Sequence, residues 1–157
     1  MIRRARVSDM QELVSLWHEM MKYHKGMHPD FRISENADVA VTANFTALFD
    51  DSHSAFIVAE EDQKIVGMLI AQVRQGLPYT ATEISGYIRD VTVTKAFRGK
   101  GIGGELVDAG VKYLKSQNVE YIDLITGSTN KLSNDFWEKM GFKETLKVRT
   151  LLLESEL

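Results

Sequence analysis

Four glycines within six positions, Gly99, Gly101, Gly103 and Gly104, follow the strand-forming stretch Val91-Thr92-Val93 and run into the start of an apolar periodic stretch that opens at Ile102. Such a run restricts this part of the chain to a strand, a tight turn and the start of a helix, because glycine adopts left-handed backbone angles freely. The helix start turns unpaired N–H groups and the positive end of its dipole toward the same point. With Arg98 and Lys100 alongside, the segment reads as a cradle for an anion such as a phosphate.

The remaining elements are read around this segment. Residues 2–6 form a short strand, and Ser8-Asp9-Met10-Gln11 reads as a capping box opening a helix. Met10, Leu13, Val14, Trp17, Met20 and Met21 recur at helical spacing, and Gly26 and Pro29 end that helix. A second helix spans 38–49, with Val41, Phe45, Leu48 and Phe49 on one face. Strands over 55–60 and 64–75 flank the polar turn Glu61-Asp62-Gln63, as in an antiparallel hairpin. A strand over 83–94 leads to the glycines, and Ile102, Leu106, Val107, Gly110, Val111 and Leu114 line the following helix. Residues 121–126 read as a short strand, 130–140 as a short helix stopped by Gly141, and 142–153 again as strand. The order β α α β β β α β α β, with no repeat or linker, predicts one α/β domain over 1–157 whose mixed sheet carries helices on both faces.

Composition excludes several functional classes. No apolar run is long enough to span a bilayer, and the basic start Arg3, Arg4, Arg6 leads into an amphipathic pattern instead of a signal sequence. A cytoplasmic location without membrane attachment follows as the expectation. Zero cysteines remove disulfides, thiolate metal ligands and a covalent cysteine intermediate. A net charge of −3, with a local basic cluster at Lys95, Arg98 and Lys100, suits a small anion better than a nucleic acid.

Three phosphate-binding patterns compete for the glycines. A Walker A loop needs Ser or Thr after its lysine, and here Lys100 precedes Gly101. The dinucleotide spacing is met by Gly99, Gly101 and Gly104, with Asp123 downstream, but its first glycine should follow the strand at once, and Thr94 to Arg98 intervene. The coenzyme A pyrophosphate pattern, Gln or Arg, two residues, Gly, one residue, Gly or Ala, fits Arg98, Gly101 and Gly103.

With these residues the chain resembles the GCN5-related N-acetyltransferase (GNAT) superfamily. Val91-Thr92-Val93 is similar to the end of that family's fourth strand. Asn130 through Trp137-Glu138-Lys139-Met140-Gly141-Phe142 is similar to its late pattern of Asn, six residues, Tyr, then Glu-Lys-x-Gly-Phe. The resemblance implies a mostly antiparallel sheet splayed between strands four and five, with the pantetheine arm of acetyl-CoA in the opening. It assigns the arm to the backbone of Val91 and Val93 by strand addition, and the pyrophosphate to Arg98, Gly99, Lys100, Gly101, Ile102, Gly103 and Gly104. Asn130 would hydrogen-bond the arm, Phe136 would pack on it, and Trp137 would position or shield the thioester. No metal is implied.

Acetyl transfer to an amine requires the neutral nucleophile, and an alkyl amine of pKa ~10.4 is only about 0.04% neutral at pH 7. A carboxylate is the usual proton acceptor in this family. Asp90 is the preferred candidate, with Glu83 and Tyr87 on the same strand. Simple alternation puts Asp90 and Tyr87 on opposite faces unless a bulge intervenes. The resemblance places a tyrosine that protonates the leaving thiolate where this chain has Trp137, whose indole has no transferable proton at neutral pH. The thiolate then leaves without full protonation, or Tyr87, Tyr79 or a water serves. A chain that binds acetyl-CoA without transferring the acetyl group is the alternative.

The acceptor region of the family falls on Tyr23, His24, His28, Asp30 and Phe31. His24 and His28 have the spacing of a helical metal pair, but Gly26 and Pro29 interrupt the helix. A small-molecule amine, a peptide N-terminus, a lysine side chain and an aminoglycoside stay open as acceptors. The apolar run 148–153 is suited to pairing with a second copy, so a homodimer is expected.

Overall fold

The computed structural model describes residues 1–153, and they divide into two units: Met1–Tyr23 with Ile33–Ile125, and His24–Arg32 with the chain from Thr126 onward. The first unit holds a five-stranded sheet in the order β1-β2-β3-β4-β5. Its strands are β1 (Ile2–Arg4), β2 (Ser54–Glu61), β3 (Lys64–Gln75), β4 (Ile84–Val93) and β5 (Ile122–Asp123). The first four are antiparallel in sequence, and β5 runs parallel to β4. The two-residue turn between β2 and β3 puts Asp62 and Gln63 at φ of 48° and 62°, the left-handed pair that matches the twist of a tight hairpin.

Strand β3 shows why helices must cover both faces. Ile65, Val66, Met68, Leu69, Ile70 and Ala71 are all buried, so neither side of the sheet faces water. On one face Met68 and Ile70 join a core with Leu13 and Leu16 of α1 (Met10–His24) and Val41, Phe45 and Leu48 of α2 (Ala37–Phe49). On the other lies α3 (Ile102–Ser116), seated where small residues meet large ones. A Cβ on Gly110 would stand 2.7 Å from Leu69 Cδ2, and one on Gly67 would stand 3.0 Å from Leu106 Cδ1. These close approaches set α3 on the sheet and its N-terminus just beyond the end of β4.

The helix start near Ser8 is built differently from the expected box. Residues Val7–Asp9 form a 3-10 turn, and Asp9 supplies the cap: its carboxylate accepts from the Arg6 N–H at 2.7 Å and takes two bonds from the Arg3 guanidinium, at 2.8 and 3.0 Å. Arg3 beside it, and then the backbone bond, hold the Asp9 carboxyl below the usual range despite its burial.

In the second unit α4 (Lys131–Lys139) begins at Asn130 and ends in a Schellman turn. Gly141, at φ 94°, donates to Glu138 O at 3.0 Å, and Phe142 donates to Trp137 O at 2.9 Å. The expected strand over 142–153 is not formed. Residues 142–153 carry no regular hydrogen-bonded structure, and Leu146, Val148, Leu151 and Leu153 are each at least 72% exposed. Residues 121–126 likewise shorten to the two of β5, whereas the other strands and helices lie within a few residues of their expected places.

Candidate active site

Strand β4 departs from simple alternation at one residue. Asp90 pairs with Ile70 and Ile88 with Ala71, so Arg89 is an extra residue bulged out of the ladder. Tyr87 pairs with Gln72, two residues along β3 from Ile70, and the bulge therefore places Tyr87 and Asp90 on one face. That face is the one on which Met68 and Ile70 meet α1 and α2. The Arg89 Nε donates to Asp90 Oδ2 at 2.8 Å, and the Arg74 guanidinium lies 3.4 Å from the centre of the Tyr87 ring. Glu83 is not brought to this pair. It precedes β4, its carbonyl accepts from Gly76 N–H at 2.8 Å, and roughly 23 Å of extended chain separates it from Asp90.

The opposite edge of β4 is partly open. Strand β5 pairs with it only at Gly86 and Tyr87, so from Ile88 to Val93 no strand lies along that edge among the described residues. Val91 and Val93 lie along this unpaired stretch, the edge at which the family resemblance puts the arm. Beyond Val93 the chain makes a 3-10 turn over Lys95–Phe97 and enters the glycines. Gly99 and Gly101 take φ of 76° and 86°, and a Cβ on Gly99, Gly101 or Gly104 would meet nothing within 4 Å. Among the described residues no side chain caps α3, whose N-cap is Gly101. The first N–H groups of α3, those of Ile102, Gly103 and Gly104, thus stand at the positive end of the helix with open space beside Gly99, Gly101 and Gly104, where an anion can approach.

The Arg98 side chain is engaged by the end of β4 and by α1. Its Nε donates to Val93 O at 2.8 Å, its Nη2 approaches Glu19 Oε1 at 3.3 Å, and its guanidinium lies 5.6 Å from the centre of the Tyr23 ring. Lys100 reaches over Phe97, 4.9 Å from its ring centre. Sequence reasoning missed Glu19, and it named a bulge as the condition for uniting Tyr87 and Asp90 without placing it at Arg89. A helical glutamate with partners far along the chain gives no local signal, and a bulge is a property of the pairing, not of one strand.

In the second unit Asn130, Phe136, Trp137, Gly141 and Phe142 of the late motif have local tasks. The Asn130 side-chain Oδ1 accepts from Ser133 N–H at 3.2 Å, capping α4. Phe136 packs edge-on against Trp137, and Trp137, buried, packs edge-on against Phe142, closing the Schellman turn. His28 Nδ1 accepts from Asp30 N–H at 3.2 Å, and His24 stacks on Phe31 with ring centres 5.0 Å apart, so each histidine has a partner other than a metal. Among the described residues no group of three or more His, Cys, Asp or Glu is placed to hold a metal ion, and no helix is long and apolar enough to cross a membrane.

The model of the acetyltransferase (GNAT) family matches residues 13–142 of this chain. An N-alpha-acetyltransferase of Sulfurisphaera tokodaii is 25% identical over 165 residues, covering 99% of this chain and 87% of that protein. Two further curated relatives are matched over only 44% and 55% of their own length. Among solved structures, the tetramutant of the BH1408 protein from Bacillus halodurans superposes with a TM-score of 0.86 at 26% identity, over 98% of this chain and 99% of that one. An aminoglycoside N-acetyltransferase, AAC(6')-Iy, solved in complex with CoA, gives a TM-score of 0.76 over 98% of this chain and 99% of that one; at 16% identity it shows the fold alone.

Proposed function

The chain belongs to the acetyltransferase (GNAT) family, and on that premise we propose that it moves an acetyl group from acetyl-CoA directly to a primary amine of a small molecule or peptide. The observation that carries this reading is the uncapped start of α3, lined by Gly99 and Gly101 in left-handed conformations, at the end of a strand whose edge is open from Ile88. In this reading the N–H groups of 99–104 hold the pyrophosphate, and the backbone of Val91 and Val93 pairs with the amides of the arm. Asn130, Phe136 and Trp137 are proposed to serve the arm and thioester, as the family likeness suggests. Asp90 takes the amine proton as the new N–C bond forms and the C–S bond breaks; the CoA thiolate leaves with the electron pair.

The named relatives support peptide N-termini and aminoglycosides as arms of an acceptor screen, beside polyamines and free lysine. The single domain over 1–157 belongs to this proposal, supported by a family model that runs unbroken through both units. So does a cytoplasmic location. Acetyl-CoA at one hundred times its Kd is expected to add about 2.7 kcal/mol, raising Tm by roughly 5–10 °C for a chain of this size. Calorimetry or thermal shift checks this, and stabilisation by NAD alone would overturn the reading. A second reading, binding without transfer, is favoured by the indole of Trp137 at the usual tyrosine position. Release of free thiol with any amine of the screen rules it out.

The proposed assembly is a homodimer. Its support is the exposed, alternating run Leu146, Val148, Thr150, Leu152 in a stretch with no pairing of its own. Light scattering on the full chain is expected to give twice the 17.8 kDa chain mass, and Val148→Lys with Leu152→Lys is expected to give the monomer. A monomeric wild type at tens of micromolar would sink this assignment.

A further inference from the structure

Glu19 of α1 reaches the turn leading into the glycine cradle and makes three bonds there. Its Oε2 accepts from the Thr94 hydroxyl at 2.9 Å, its Oε1 accepts from the Lys95 N–H at 2.9 Å, and the same oxygen faces Arg98 Nη2 at 3.3 Å. The three donors come from both ends of the Lys95–Phe97 turn, so one carboxylate closes it. Around it, Thr94 N–H donates to Val66 O at 2.8 Å, and Arg98 is further held by Val93 O and the Tyr23 ring. Gly99, the first left-handed residue of the cradle, follows directly.

Electrostatics alone gives no reason for a carboxylate at this place. A negative charge beside a pyrophosphate site opposes the ligand, and an ion pair as exposed as Glu19 with Arg98 contributes little to stability. The bonds to the Lys95 backbone and the Thr94 hydroxyl are directional, and they fix where the turn delivers the chain. We propose that Glu19 is a positioning residue for acetyl-CoA: it locks the Thr94–Arg98 turn to α1 so that the N–H groups of 99–104 stand preset for the pyrophosphate. This rests on the acetyl-CoA reading of the cradle. A preset cradle pays its ordering cost during folding instead of on binding.

The two views predict opposite signs. If Glu19 positions the loop, Glu19→Ala weakens acetyl-CoA binding about 10-fold, the effect of losing hydrogen bonds to a charged group. If its charge dominates, the same variant binds more tightly at low salt. Isothermal titration with acetyl-CoA decides between them, with Glu19→Gln expected to fall between wild type and Glu19→Ala because one oxygen acceptor survives. Amide hydrogen exchange on the free proteins is the companion measurement. Faster exchange confined to 94–104, with β3 unchanged, is expected of Glu19→Ala. Unchanged or tighter binding, or an equal rise in exchange across β3, overturns the proposal. Should Glu19→Ala fail to fold, Thr94→Val removes one of the three bonds and reads the same quantities. The exchange comparison needs no ligand, and a wild type that fails to bind acetyl-CoA counts against the function, not against the tie between Glu19 and the loop.

Discussion

Gly103→Leu is expected to weaken acetyl-CoA binding by at least about 100-fold, or about 2.7 kcal/mol, without a matching loss of stability. Gly103 is the second residue of α3 and has no left-handed angle to preserve, so leucine costs nothing in backbone strain, and helix propensity favours it over glycine by roughly 0.5–1 kcal/mol. What leucine removes is the approach of an anion to the first N–H groups of the helix. Gly101→Leu is the informative contrast, since Gly101 sits at φ 86°, where a side chain adds about 1–2 kcal/mol of strain. It should lose both stability and binding. Gly104→Ala is the folding control, because its Cβ meets nothing within 4 Å. Titration calorimetry and the unfolding transition together check all three, and affinity for Gly103→Leu within threefold of wild type would mean that the anion is held elsewhere.

How much of this site was legible depended on whether the signal was local. The glycine run, the apolar spacing of Leu106, Gly110 and Leu114, and the turn at Asp62-Gln63 are local patterns, and each forms the element its spacing predicts. The left-handed glycines and the helix start were legible for the same reason, since they are adjacent in the chain. The bulge at Arg89 was not, because it exists only in the register between β3 and β4. Residues 142–153 misled for a related reason: alternation of apolar residues records a capacity to pair, and a strand forms only where a partner edge is present. Asn130 and Trp137 were legible as a motif, yet the cap at Ser133 and the Schellman contact with Phe142 show that a motif residue can also hold its own helix together. Glu19 lay beyond reach, since its partners are 75 to 79 residues away.

Asp90→Asn is expected to lower kcat by about 10²-fold or more while leaving acetyl-CoA affinity within about twofold. The bulge makes this a sharper test than the sequence alone allowed, because Tyr87 and Asp90 now share a face and compete for the same role. Asparagine keeps the shape and can still accept from Arg89 Nε, so the pair at 2.8 Å is weakened without opening a hole. What it cannot do is take the proton that an ammonium must lose before its nitrogen can attack. The variant must then wait for amine that is already neutral, and its rate should climb tenfold per pH unit toward the amine pKa of ~10. The wild type, with a base in place, should flatten at lower pH. Tyr87→Phe is the matched comparison: a loss of turnover larger than that of Asp90→Asn would move the proton-accepting role to the phenol. A pH–rate profile of Asp90→Asn that superposes on the wild type would remove Asp90 from the chemistry and leave its bond to Arg89 as a device for holding the bulge.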